Sequence, residues 1–299
     1  MKNFIFLLLN YCVAGFLLYM ICWHLDFNQL EDIVQSVKPL PLLIAILIAL
    51  FFKLVYFSWL WHMVFKLSHV SINYKNIFYL NAYTLILKYI IPFKIAEIFR
   101  AVALKLVSKI DFSLALGGTI YLKLITIISI LVIFITSCMV KSDFQYFSYA
   151  LLLLVVFFLI TQLMNFLPDV FLGIQLKQFK HCFKHIAISG RLKVFVSTLV
   201  MELSEVITLY YLMIAFSLDL KIFDLLYFVG ISKLASMIPL SIQGIGIRES
   251  IAVSVFKVSV SHSTAFSMGF FLTIIYHILP AIAGLVFWAY IRLIPLKTS

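Results

Sequence analysis

Apolar residues run through this chain in long blocks separated by short polar stretches. A helix that crosses a bilayer needs about 17–25 mainly apolar residues. That measure predicts six spans, at about 4–25, 40–65, 113–139, 146–167, 194–217 and 264–291. Two further apolar regions are interrupted. Region 77–110 is broken by Pro92 and the charges Lys94, Glu97 and Arg100; region 224–258 by Pro239, Gly244, Gly246, Arg248 and Glu249. Backbone that breaks at membrane depth survives only where it is buried in protein or lines a water-filled cavity. Each interrupted region therefore predicts two half-length helices around a polar turn, a re-entrant hairpin. The expected fold is all-α: a polytopic membrane protein with about six transmembrane helices and two oppositely oriented re-entrant helical hairpins, arranged as an inverted repeat.

The order of elements carries the repeat. Residues 1–142 read span, span, hairpin, span, and residues 143–299 repeat that order from the opposite side, because three crossings precede them. The two breaks also echo each other as Ile91-Pro92-Phe93-Lys94-Ile95 and Ile238-Pro239-Leu240-Ser241-Ile242. Paired interruptions at matching positions in two halves point to a transporter binding site. Positive residues test the topology, since short cytoplasmic loops are enriched in Lys and Arg. With the N-terminus inside, Lys66, Lys75, Lys105, Lys109 and the run from Lys177 to Lys193 fall on the inner side. The outer side keeps only Lys38, Lys141, Lys221 and Lys257. Both termini are thus expected in the cytoplasm.

Composition agrees and narrows the class. Hydrophobic residues make up 64% of the 299 and charged residues 12%, against roughly 45–50% and 25% in soluble domains. One integral membrane domain, 1–299, is expected. The net charge of +11 sits beside the spans, where it meets anionic lipid headgroups rather than nucleic acid. The N-terminal run from Phe4 to Trp23 exceeds a signal-peptide core and reads as a retained first helix. The cysteines lack metal-site spacing, and nothing demands a bridge between Cys22 and Cys138. The Lys/Ile/Phe-rich composition suits a bacterial inner membrane.

Polar residues inside apolar blocks are the candidate chemistry. Glu97 and Arg100 share a helix face, and Arg248 and Glu249 follow the second break directly. Either pair serves structure, each acid neutralising a base or capping a broken helix, or the arginines meet a headgroup phosphate through their planar fork. Thr198, Glu202, Glu205 and Thr208 form one stripe of the fifth span. These acids read as a proton or cation site, or as countercharges for Lys53 and Lys123. Lys123 stands in line with Thr119 and Thr126, and His277 with Thr273 and Gly284. No phosphate-binding loop of the GxxxxGK[ST] type appears, nor an HExxH, CxxC or GxSxG signature. No cofactor or metal is expected.

Pro92, Lys94, Glu97 and Arg100, followed by Pro239, Ser241, Gly244, Gly246, Arg248 and Glu249, give the chain its resemblance. It is similar to the lysylphosphatidylglycerol synthase transmembrane-region, or flippase-like domain, family, with Ala96, Lys94 and Gln243 departing from the usual Gly, Arg and Gly. Glu205 resembles an acid often seen in the family's intervening helix. The resemblance implies the translocation half without lipid synthesis, since the chain ends soon after its last span. The expected function is a translocase that moves a phospholipid or polyprenyl-linked headgroup across the bilayer. Lys94, Glu97, Arg100, Lys123, Ser241, Gly244, Gly246, Arg248 and Glu249 would bind substrate; Lys53, Glu202, Glu205 and His277 would couple an ion or supply countercharge. The alternative is a membrane enzyme, or an accessory subunit of one, acting on lipid-linked sugars in envelope glycan assembly. Expected partners are the lipid substrate, the bilayer, and a second copy or envelope-biosynthesis proteins.

Overall fold

A computed structural model describes residues 35–90, 96–108, 110–141, 145, 147–149, 151, 155, 186–237 and 244–293, all-helical and without strands among the described residues. The first predicted span, most of the fourth, Cys22, and both hairpin tips with Pro92, Lys94, Pro239 and Ser241 lie outside them.

Helix α1 opens on Pro39 at a helix start, where a missing N–H costs nothing, and runs through Pro39–Leu50, a π-helical turn Phe51–Tyr56, and Phe57–Leu67. Then come α2 (Tyr74–Ile90), α3 (Ala96–Ser108), α4 (Phe112–Val140), α5 (Ile188–Ala215), α6 (Ile222–Ser236) and α7 (Ile247–Phe256). Helix α8 runs through His262–Leu272, a second π-helical turn Thr273–Ile278, and Leu279–Leu293. Among the described residues, three helices are long and apolar enough to cross a membrane: Pro39–Leu67, Phe112–Val140 and His262–Ala289. Helix α5 has 28 residues and carries its two acids on its buried side. Helices α2, α3, α6 and α7 are short, 17, 13, 15 and 10 residues. At 1.5 Å per residue they reach about 15–26 Å, less than a hydrocarbon core of about 30 Å.

The surface is inverted relative to a soluble protein. Leu43, Leu47, Phe51, Val55 and Trp59 form an exposed apolar stripe down α1, and Leu192, Val196, Val200 and Ile207 one down α5. Polar side chains such as Asn81, Thr84, Ser129, Thr198 and Ser232 lie buried. In hydrocarbon, polar groups face other helices because lipid offers them no partner.

Helices α1 and α5 pack against each other, and both end the same way. His69 (φ 59°) and Ser217 (φ 55°) turn left-handed just past their helix ends. Val70 N–H then donates to Phe65 O and Leu218 N–H to Met213 O, each at 2.9 Å, the Schellman closure that satisfies free carbonyls. Around this pair the short helices exchange neighbours: α2 packs on α3 and on α8, and α6 packs on α7 and on α4. Small residues permit the close approaches. A Cβ at Gly284 would lie 2.5 Å from Ala82 O, and one at Gly230 2.9 Å from the Phe134 Cβ.

Two ends of the bundle are marked by polar contacts and by packing. At one end Lys38 N–H donates to Ala215 O (2.9 Å), and Lys141 pairs with Asp224 at 2.6 Å. The opposite ends of α1 and α5 meet where a Cβ on Gly190 would lie 3.3 Å from Leu67 Cδ2. Apolar packing forms two main clusters. One gathers Trp61, Phe65, Ile77, Leu104 and Tyr121 around α2 and α3; the other gathers Leu209, Phe228, Phe256 and Met268 around α6 and α7. Cys138 is buried on α4.

Candidate functional site

The stripe read from the sequence of α5 is buried along its length: Thr198, Glu202, Glu205 and Thr208 all face the interior. Thr198 and Thr208 spend their hydroxyls on the helix itself, donating to Val194 O and Ser204 O at 2.8 Å. The two carboxylates face outward from that helix to a lysine. Lys233, on α6, donates to Glu202 and pairs with Glu205 Oε2 at 2.9 Å. A buried carboxylate needs such a partner, since an isolated charge in low dielectric costs far more than its packing returns.

The π-helical turn of α8 supplies the next layer. A π turn adds a residue to one helical turn and commonly marks a functional site. Tyr276 donates to Met201 O at 3.2 Å and touches Ser204 Oγ. His277 Nε2 lies 3.4 Å from Glu205 Oε1. Thr273 donates to Glu249 Oε1 at 2.8 Å. The π turn of α1 faces this one: Lys53 Nζ stands 4.0 Å from the centre of the Tyr276 ring, a cation–π contact.

Helix α7 brings in the glycine-arginine-glutamate stretch. Gly244 (φ 85°) and Gly246 (φ 83°) are both left-handed, a conformation glycine adopts without a Cβ clash. A Cβ at Gly244 would lie 2.3 Å from Ser236 Oγ. Gly246 caps α7, and Glu249 folds back so that its Oε2 accepts the Gly246 N–H at 2.7 Å, satisfying one orphan amide of the helix start. Arg248 beside it is 3% exposed, and its Nε and Nη1 have no hydrogen-bond partner among the described residues. One site thus gathers Lys53, Lys233 and Arg248 with Glu202, Glu205 and Glu249, three cations against three carboxylates, and His277 beside them.

Residues 7–284 match the family model described as the lysylphosphatidylglycerol synthase TM region. The chain belongs to that family. No curated protein matches it. In this lysylphosphatidylglycerol synthase TM-region protein, Gly244, Gly246, Arg248 and Glu249 meet Glu202, Glu205, Lys53 and His277 in a single cluster.

The other predicted site residues lie elsewhere. Arg100, 2% exposed, is held on α3 between the rings of Phe57 and Trp61 at 5.1 and 5.0 Å. Its Nε donates to Thr84 Oγ1 at 3.2 Å. Thr84 donates to Asn81 O, and Asn81 Nδ2 donates to Lys53 O at 2.9 Å and to Ser58 Oγ. Arg100 therefore reaches the α1 π turn through a polar chain. Lys123 is half-buried on α4 and makes no ion pair or hydrogen bond among the described residues. Glu97 lies on α3; Lys94 and Ser241 are outside the described residues. Reading the sequence offers Lys53 and Lys123 as countercharges for the α5 acids. The direct ion-pair partner is Lys233, whose only signal is a lone lysine in the apolar arm six positions before Pro239.

Proposed function

We propose that this protein is a lipid translocase that passes an anionic headgroup across the bilayer, without chemistry on it, while the lipid tails stay in hydrocarbon. The observation that carries the reading is Arg248: a buried guanidinium with two nitrogens unpartnered among the described residues, at the N-terminal end of α7. Amides and dipole at a helix start favour an anion, and a guanidinium suits a phosphate. A polar headgroup in bare hydrocarbon is costly, and a charged interior lowers that cost.

The topology read from the sequence supports such a path. On this reading the pairs α2–α3 and α6–α7 are re-entrant hairpins entering from opposite sides, beside six full crossings in an inverted repeat. Their lengths fall short of a crossing. The base of α6 sits at the end marked by Lys141 and Asp224, whereas α2 begins after the far end of α1, with Tyr74 hydrogen-bonded to Val55 O. The shared left-handed endings of α1 and α5 fit a repeat of 1–142 in 143–299. Both termini are then cytoplasmic, as the lysine distribution favours, in a membrane that the Lys/Ile/Phe-rich composition assigns to a bacterial cell.

The test is transbilayer movement of a fluorescent phosphatidylglycerol in proteoliposomes. Wild-type protein should move it, and Arg248→Gln should slow the rate at least tenfold while inserting normally. An unchanged rate in a well-folded Arg248→Gln protein would sink the assignment.

A further inference from the structure

Among the described residues the cluster is balanced before any ligand arrives, with Lys53, Lys233 and Arg248 against Glu202, Glu205 and Glu249. Its carboxylates are also engaged: Glu202 and Glu205 with Lys233, Glu205 with His277, and Glu249 with Thr273 and the Gly246 amide. The unfilled donors belong to Arg248. An anion seated there leaves the buried site with one negative charge in excess, which a low dielectric penalises strongly. The excess can be met by a cation carried on the same headgroup or by a proton.

His277 is placed to take that proton. Imidazole is the side chain that ordinarily titrates near neutral pH, and Nε2 already lies 3.4 Å from Glu205 Oε1. The charged groups that face it come from every neighbouring helix. Glu205 faces it from α5, Lys53 from α1 and Arg248 from α7, with Tyr276 on its own turn and Lys233 of α6 beyond Glu205. Helix α2 meets α8 two turns away, presenting Ala82 to Gly284. While Arg248 is bare, its charge and that of Lys53 stand against a further positive charge on His277. A phosphate on Arg248 cancels part of that field, and linkage makes the effect reciprocal.

We infer that the site takes up one proton, at His277, for each anionic phosphate headgroup it binds, and none for a zwitterionic one. The proton comes from water and forms an imidazolium paired with Glu205. This inference rests on the headgroup reading above, and it would tie lipid loading to the proton gradient.

The experiment titrates the purified protein with short-chain phosphatidylglycerol, short-chain phosphatidylcholine and glycerophosphoglycerol, the diester headgroup without its acyl chains, between pH 5.5 and 8.5. Proton uptake is read in buffers of different ionisation enthalpy. Phosphatidylglycerol should bind with uptake of one proton, its affinity falling up to about tenfold per pH unit as pH rises, the limit for one linked proton. Phosphatidylcholine should bind without uptake and with a flat profile. His277→Gln should flatten the phosphatidylglycerol profile and abolish uptake while phosphatidylcholine still binds. Binding of phosphatidylglycerol that depends on Arg248 but exchanges no proton would overturn this inference alone. So would a wild-type slope in His277→Gln. Phosphatidylglycerol binding untouched by Arg248→Gln would overturn the headgroup reading itself. Equal affinity for glycerophosphoglycerol, with the same uptake, would assign the site to free phosphate diesters and remove the lipid from the proposal. The proton count on wild-type protein needs no variant and stands even if His277→Gln fails to fold.

Discussion

Lys53 stands over the ring of Tyr276 at 4.0 Å and so joins the π-helical turn of α1 to that of α8. The same tyrosine donates its hydroxyl to Met201 O on α5. Tyr276 is therefore a joint between three helices. Tyr276→Phe keeps the ring and the cation–π contact, and Met201 O keeps its Ser204 Oγ donor at 2.6 Å. The substitution should lower stability by about 0.5–1.5 kcal/mol, the net worth of one hydrogen bond, read as a lower midpoint of thermal unfolding in detergent. Tyr276→Leu should cost more, because Lys53 also loses its ring.

Lys233 holds two carboxylates of α5 at once. Lys233→Met should destabilise the protein by about 3–5 kcal/mol, since removing one partner leaves buried charge uncompensated. Adding Glu202→Gln and Glu205→Gln to Lys233→Met should restore most of the loss. A triple variant no more stable than Lys233→Met alone would count against the ion pairs as the cause. By contrast Lys141–Asp224 is partly exposed, at 29% and 19% for its side chains. Asp224→Asn should shift stability by less than about 1 kcal/mol.

Gly246 combines a left-handed φ of 83° with the cap of α7. Gly246→Ala should cost about 1–3 kcal/mol from backbone strain alone, since φ 83° with ψ −40° lies outside the left-handed helical well. Because Arg248 follows two residues later, it should also weaken headgroup binding. A variant with wild-type unfolding midpoint and affinity would show that the turn adapts.

Sidedness has its own readout. Single cysteines at Lys66 and Lys141, in a background lacking the four native cysteines, should react with a membrane-impermeant maleimide from opposite faces of intact cells. Lys141 should be labelled from outside and Lys66 only after permeabilisation.

Much of this arrangement is legible in the chain itself. Apolar blocks mark α1, α4 and α8, and the three- and four-residue spacing of Thr198, Glu202, Glu205 and Thr208 marks the polar face of α5. Proline and glycine betray the breaks. Lys233 is harder to find, because its partners sit on another helix and no periodicity links it to them. Lys123 offers much the same signal as Lys53, yet its face of α4 meets no acid among the described residues. The π turns are also hidden, since a single widened turn leaves no repeating pattern in residue type. Their positions become visible only through what they present: Lys53 on one, and Thr273, Tyr276 and His277 on the other.

The widened turn in α8 also preserves the phase of that helix. One residue of an α-helix corresponds to about 100° of rotation, and the widened turn takes in one residue more without passing that rotation on. Deleting a single residue between Thr273 and Ile278 would let the turn close to α geometry and keep both Gly269 on Ala252 and Gly284 on Ala82, while Thr273, Tyr276 and His277 lose their present spacing. The widening thus separates the charge cluster from the seam with α2, and a one-residue deletion there would cost the first and spare the second.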